Sequence, residues 1–113
     1  MSFSDFKDVL KNIAKHNKAF SRILVESALM QSWDEIVGRG VAIHTEPSHI
    51  QDGVLWVRVD HPVWQAELHA RRAQIYEKMI TYAKSKSWFS GSEDDIRKLL
   101  KEIRFKVTSA RSS

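Results

Sequence analysis

IQDGVLWVRVDHPVWQAELH, residues 50–69, changes its periodicity at its centre. Leu55, Val57 and Val59 alternate with Trp56, Arg58 and Asp60, the period-two pattern of a strand with one buried face. After Pro62 the apolar side chains recur every three to four residues, and Trp64, Leu68, Ile75, Met79 and Tyr82 form a helical stripe with Val63 and Tyr76 beside it. A long helix is therefore expected from this corner to about Lys84. Asp60 is a plausible N-cap, and Pro62 suits a first turn in which its missing N–H costs nothing.

Upstream, Val41 and Ile43 alternate with Ala42 and His44 until Pro47 breaks the run. This predicts strands at 41–46 and 54–60, joined by a loop containing the Asp52-Gly53 turn pair rather than by a two-residue hairpin. A helix is expected from Phe20 to Val37, its apolar face made of Phe20, Ile23, Leu24, Ser27, Met30, Trp33 and Val37, with Gly38 stopping it. An earlier amphipathic helix, 3–16, carries Phe6, Val9, Leu10 and Ile13. Downstream, SKSWFSGS (85–92) reads as a loop, and Ser92 to Asp95 resembles a capping box with Asp in place of Glu. A short helix over 93–101 and a strand over Ile103–Val107 follow, and 109–113 reads as a disordered tail.

Composition narrows the function. The 113 residues are 42% hydrophobic and 28% charged, the profile of one globular domain. That domain is expected over 1–108, with an N-terminal helix in 1–17 and a core over 20–108. There is no cysteine, which excludes disulfides and thiol chemistry. No run approaches the ~20 apolar residues of a membrane span, and MSFSDFKDVLKNIAKH lacks the order of a signal peptide. A soluble, cytoplasmic protein with no membrane association is expected.

The net charge of +4 is unevenly placed. Residues 1–68 hold seven Lys/Arg and nine Asp/Glu, whereas 69–113 hold eleven and five. A basic second half suits a polyanion, because clustered cations displace counterions from phosphates. The candidate phosphate contacts are Arg71, Arg72, Lys78, Lys84, Lys86, Arg97, Lys98, Lys101, Arg104 and Lys106. The more acidic 26–67 region is left for a protein partner. A lysine-rich solvated surface is the plainer reading of the same charge.

No catalytic constellation emerges. Glu67 pairs with Arg71 one turn on. His44, His49, His61 and His69 show no metal-ligand spacing, and His44 and His61 read as hydrogen-bonding groups at element ends. No serine sits in a nucleophile elbow. The chain reads as a non-enzyme with no metal and no cofactor. Trp33 and Trp64 are expected in the core. Trp56 falls out of phase with it, so it lies on the sheet's other face beside Arg58, where it either offers a stacking surface for a base or a partner protein or is covered by the N-terminal helix.

The element order, with the first helix set aside, is α-β-β-α-α-β. An α+β two-layer sandwich with a three-stranded sheet follows from it, and the order resembles the type II KH fold. The connection between the paired helices has no GxxG loop. Five motifs sharpen a resemblance over residues 20–108: Trp33 to Gly38, His44 to Pro47, Gly53 to Val59, Trp64 to Leu68 with Glu67, and Ile103-Arg104-Phe105. Together they resemble the DciA family, with Gln65 standing where its pattern has Ala. The resemblance implies a KH-like domain that binds DNA, single-stranded or forked and without sequence preference, and assists loading of the bacterial replicative DNA helicase. The other readings are a protein–protein interaction module, or a general nucleic-acid-binding KH-like domain with no helicase role.

Overall fold

The computed structural model describes residues 18–86, 89 and 91–108. The helix expected at 3–16 and the expected disordered tail lie outside them. Two helices, α1 (Lys18–Gln31) and α2 (Trp33–Val37), and one helical turn, α3 (Arg39–Ala42), lead into β1 (Thr45–Gln51) and β2 (Val54–Val59). Helices α4 (Pro62–Ala70), α5 (Arg72–Lys84) and α6 (Glu93–Leu99) precede β3 (Glu102–Val107). The sheet order is β1-β2-β3, with β1 antiparallel and β3 parallel to β2. A parallel neighbour requires a crossover, and α4 to α6 supply it.

The inward stripe of the strands is as the alternation requires. Leu55, Val57 and Val59 on β2 and Ile103 and Phe105 on β3 are buried. They meet Leu68 of α4, Ile75, Met79, Ile80 and Ala83 of α5, and Ile96 and Leu100 at α6. Among the described residues no buried side chain is polar or charged.

Several expected boundaries are corrected. Val41 and Ala42 are helical, and β1 starts at Thr45 rather than at Val41. The turn is a two-residue hairpin, with Gln51 paired to Val54. Asp52 (φ 54°) and Gly53 (φ 83°) both take the left-handed conformation that such a turn needs. Pro47 does not end the strand, because β1 is an edge strand and tolerates a missing N–H. The register shifts between Pro47 and His49, leaving Ser48 as the extra residue of a bulge.

The two long helices are each interrupted. The first breaks at Ser32, although Ile36 N–H still donates to Ser32 O at 3.0 Å, and Gly38 ends the run at φ 88° as expected. Its core face is Val25, Leu29, Trp33 and Ile36, whereas Ile23 is 60% exposed. Apolar residues occupy more than one stripe here, so spacing alone did not select the buried one. The second breaks at Arg71, whose N–H reaches back only three residues to Leu68 O at 3.0 Å.

Asp60 is not the cap of α4. His61 is: its Nδ1 accepts from Val63 N–H at 3.1 Å, with Pro62 in the first turn. The Ser92–Asp95 capping box on α6 is complete. Trp33 is buried as expected, and its indole N–H donates to Thr45 Oγ1 at 2.8 Å. Thr45 in turn donates to Val41 O at 2.9 Å, which ties the first helical segment to the start of the sheet. Trp64 is half-buried at the margin of the core rather than inside it. Val63 is 67% exposed.

Candidate nucleic-acid interface

The outward side chains of the strands make a three-by-three array, read off the register. Glu46, Arg58 and Lys106 form one row, His49, Trp56 and Arg104 the next, and Gln51, Val54 and Glu102 the third. All nine are exposed or half-buried, in contrast to Leu55 and Val57 on β2 and Ile103 and Phe105 on β3, which alternate with them and are buried. Trp56 stands at the centre. The Arg104 guanidinium lies 5.6 Å from the centre of its ring, within cation–π range.

Two carboxylates accompany the cations. Arg58 donates to Glu46 at 3.2 Å, and Arg104 donates to both oxygens of Glu102 at 3.2 Å. All four side chains are about half exposed or more, so these pairs contribute little to stability and are free to exchange partners. Lys106 has no partner among the described residues. His49 joins this surface because of the two-residue turn, which sets it opposite Trp56. Asp52-Gly53, read as a tight hairpin, was the signal that places it there.

The other predicted cations do not gather here. Arg71 pairs with Glu67 at 3.2 Å, as its spacing suggested, and the Arg72 guanidinium contacts the His69 ring. Both stand at the α4–α5 break. Lys84 donates to Glu93 at 2.8 Å, and Lys86 sits over the Tyr82 ring and 3.7 Å from Glu35. Arg97 donates to Glu77 and Glu93 and lies over Tyr76. Hydrogen bonding to these acids holds the Arg97 proton more tightly than usual. The Arg97 hydrogen bonds hold the Glu77 carboxyl below its usual value, and those from Lys84 and then Arg97 do the same for Glu93. This network joins α5 to α6 and occupies Arg97 structurally. Lys78, Lys98 and Lys101 are exposed without an acidic partner among the described residues. The Lys101 stem runs under Gly53, where an added Cβ would meet its Cδ at 2.9 Å.

The motif histidine has a local task. His44 Nδ1 lies 3.0 Å from Asp60 Oδ2, and the His44 ring stacks on Trp64. Asp60 N–H also donates to His44 O at 3.1 Å. The β2–α4 corner is thereby fastened to the approach to β1. A groove of mixed polarity beside it is lined by residues that include His44, Thr45, Glu46, Arg58, Asp60 and the 67%-exposed Ile43. Gln65 donates its side-chain amide to Phe105 O at 2.9 Å, clamping α4 to β3; an alanine in its place has no such donor. Among the described residues no three His, Asp or Glu side chains cluster as metal ligands, and no helix is long and apolar enough to cross a membrane.

Comparison with known proteins supports the expected family over residues 5–86, a span that does not reach Ile103-Arg104-Phe105. A UPF0232 protein of Rhodococcus jostii (strain RHA1) is 29% identical over 70 residues, covering 62% of this chain and 37% of its own. A UPF0232 protein of Mycobacterium tuberculosis is 29% identical over 69 residues, 61% of this chain and 36% of its own. The match thus spans little more than a third of the length of these curated relatives. The family model described as Dna[CI] antecedent, DciA, matches residues 5–86. With its Trp33, His44–Pro47, Gly53 and Trp64–Leu68 motifs set in one fold, the chain belongs to the DciA family.

Proposed function

We propose that this protein is a non-enzymatic accessory factor that binds DNA without sequence preference and assists loading of the replicative DNA helicase in the bacterial cytoplasm. Membership in the DciA family carries the reading. The fold is compatible with it: with α1 to α3 counted as one interrupted helical segment and α4 with α5 as another, the order helix, strand, strand, helix, helix, strand and the mixed three-stranded sheet resemble a type II KH-like domain. The connection after α5 lacks a GxxG clamp, so DNA contact falls to basic side chains elsewhere. Lys78, Lys98, Lys101 and Lys106 are among the cations with no acidic partner among the described residues, and phosphate contact by them is independent of sequence.

The experiment is binding of the protein to single-stranded, forked and duplex DNA over a salt series, with helicase loading measured alongside. Affinity that falls steeply with salt, together with faster helicase loading on forks, is the expected outcome. No binding to any DNA at tens of micromolar and no effect on loading would sink the reading.

A second reading has its own support. Ile43 and Val63 are each 67% exposed, close in sequence to the stacked His44 and Trp64. Such side chains suit a protein partner, and a protein-interaction module with incidental DNA affinity would lose helicase binding on changing them while its salt slope stays near zero.

A further inference from the structure

We propose that the outward face of the sheet is a single-strand binding platform, on which an unpaired base stacks against Trp56 while Arg58, Arg104 and Lys106 hold the neighbouring phosphates. The inference rests on the DNA-binding reading above and names the part of the molecule that recognises unpaired strands. Four features of the face carry it.

Trp56 is held out of the core by strand alternation: its neighbours Leu55 and Val57 are buried and it is not. The face is otherwise poor in aliphatic surface, with Val54 the only other apolar member of the nine outward positions. A protein partner would find little to bury there, whereas a base needs one aromatic plane. Cations surround the ring. Arg104 is in its own row, and Arg58 and Lys106 are one row along, about 7 Å away by strand geometry.

The acids do not oppose this arrangement. Glu46 and Glu102 hold Arg58 and Arg104 in place through exposed pairs, and such pairs cost little to exchange for phosphate. In a duplex the bases are already stacked and paired, so their planes are out of reach of Trp56. The platform therefore favours unpaired strands, and it lies apart from Arg71, Arg72 and Lys78 on α5 and its approach.

The test measures anisotropy of labelled oligo-dT, oligo-U of the same length and a duplex, with the full chain and the variants Trp56→Ala, Trp56→Phe, Trp56→Leu and Lys106→Ala, over a salt series. Trp56→Ala is expected to weaken binding to unpaired strands about five- to a hundred-fold, with the salt slope unchanged and duplex binding intact. Phe should restore most of the affinity and Leu should not, a contrast that stands even if the Ala variant folds poorly. Lys106→Ala should flatten the single-strand salt slope by about 0.7. The dT and U arms tell DNA from RNA as the strand preferred. Wild-type protein that binds no nucleic acid overturns the DNA-binding reading and the platform with it. Wild-type binding with equal single-strand affinity in Trp56→Phe and Trp56→Leu overturns the platform alone. Loss of helicase capture in Trp56→Leu with DNA affinity unchanged reassigns the face to a protein partner and likewise overturns it.

Discussion

The His44 and Trp64 rings stack with their centroids 4.5 Å apart and their planes within 20°. The contact joins the residue that precedes β1 to the first turn of α4, and Asp60 closes it from the side at 3.0 Å. A tryptophan and a proline thus share one corner for separate reasons. Pro62 starts the helix, and Trp64 pins it to the histidine.

The three described tryptophan side chains should differ in their worth to stability. Trp33→Ala removes a fully buried ring and the indole donor to Thr45 Oγ1, a loss of about 3–5 kcal/mol. Trp64→Ala removes a half-buried ring and its stack, about 1.5–2.5 kcal/mol. Trp56→Ala, on the outward face, should cost less than about 1 kcal/mol. Urea denaturation ranks them, and a Trp56 loss equal to that of Trp33 would place Trp56 in the core.

Two glycines should respond in opposite directions to alanine. At Gly53 the backbone is left-handed and the Lys101 stem is 2.9 Å from a new Cβ, so Gly53→Ala should lose about 1–2 kcal/mol. Gly40 lies in α3 with nothing within 4 Å of a new Cβ, and Gly40→Ala should be neutral or stabilising by up to about 1 kcal/mol. Melting temperatures of the two variants check the contrast. A stabilised Gly53→Ala would contradict the turn geometry.

Acid should weaken the α5–α6 junction in a definite window. Glu77 and Glu93 are held below the usual glutamate value of 4.5 by Arg97 and Lys84. A depressed carboxyl contributes stability that is present above 4.5 and is lost as pH falls through its lowered value. Glu26 has the opposite sign, since burial raises it, with Arg22 countering. The melting gap between wild type and Arg97→Met should therefore be open at pH 7 and close on acidification below 4.5. A gap that persists unchanged at pH 3 would show that Arg97 acts through packing on Tyr76 instead.

The cations at the α4–α5 break and on α5 should be unequal. Replacing Arg71, Arg72 and Lys78 with Ala is expected to weaken DNA binding alike for every sequence and flatten the salt slope by about one unit per lost phosphate contact. Lys78, without a partner among the described residues, should account for most of the effect, because Arg71 is already engaged by Glu67 and Arg72 by His69. Single variants measured over a salt series resolve the share of each. Unchanged slopes in the triple variant would move the phosphate contacts to other parts of the surface.

Much of the candidate surface was legible before the fold. Trp56 beside Arg58, and the exclusion of both from the core, follow from the alternation in residues 54–59 alone. His49 was not legible as a member, because the expected strand stopped at residue 46, whereas the true one runs on to Gln51. Nor was the engagement of Arg97, whose partner Glu77 is twenty residues away on another helix.

What the sequence determined by itself is whatever a few neighbouring residues decide. The Leu55-Val57-Val59 stripe, Pro62 in its first turn, Gly38 as a stop, and the Ser92–Asp95 cap depend on backbone sterics and local hydrogen bonds, which are complete within a turn or a strand. What only the tertiary structure decided are the choices between locally equivalent options. Val41 and Ala42 suit a strand or a helical turn, and Thr45, tied to Trp33 and to Val41 O, settles them as helix. A helical pattern does not say that it breaks at Ser32 or Arg71, nor which of several apolar stripes meets the sheet. The bulge at Ser48 comes from pairing with β2. These are settled by contacts between residues far apart in the chain, and their energies have no local trace.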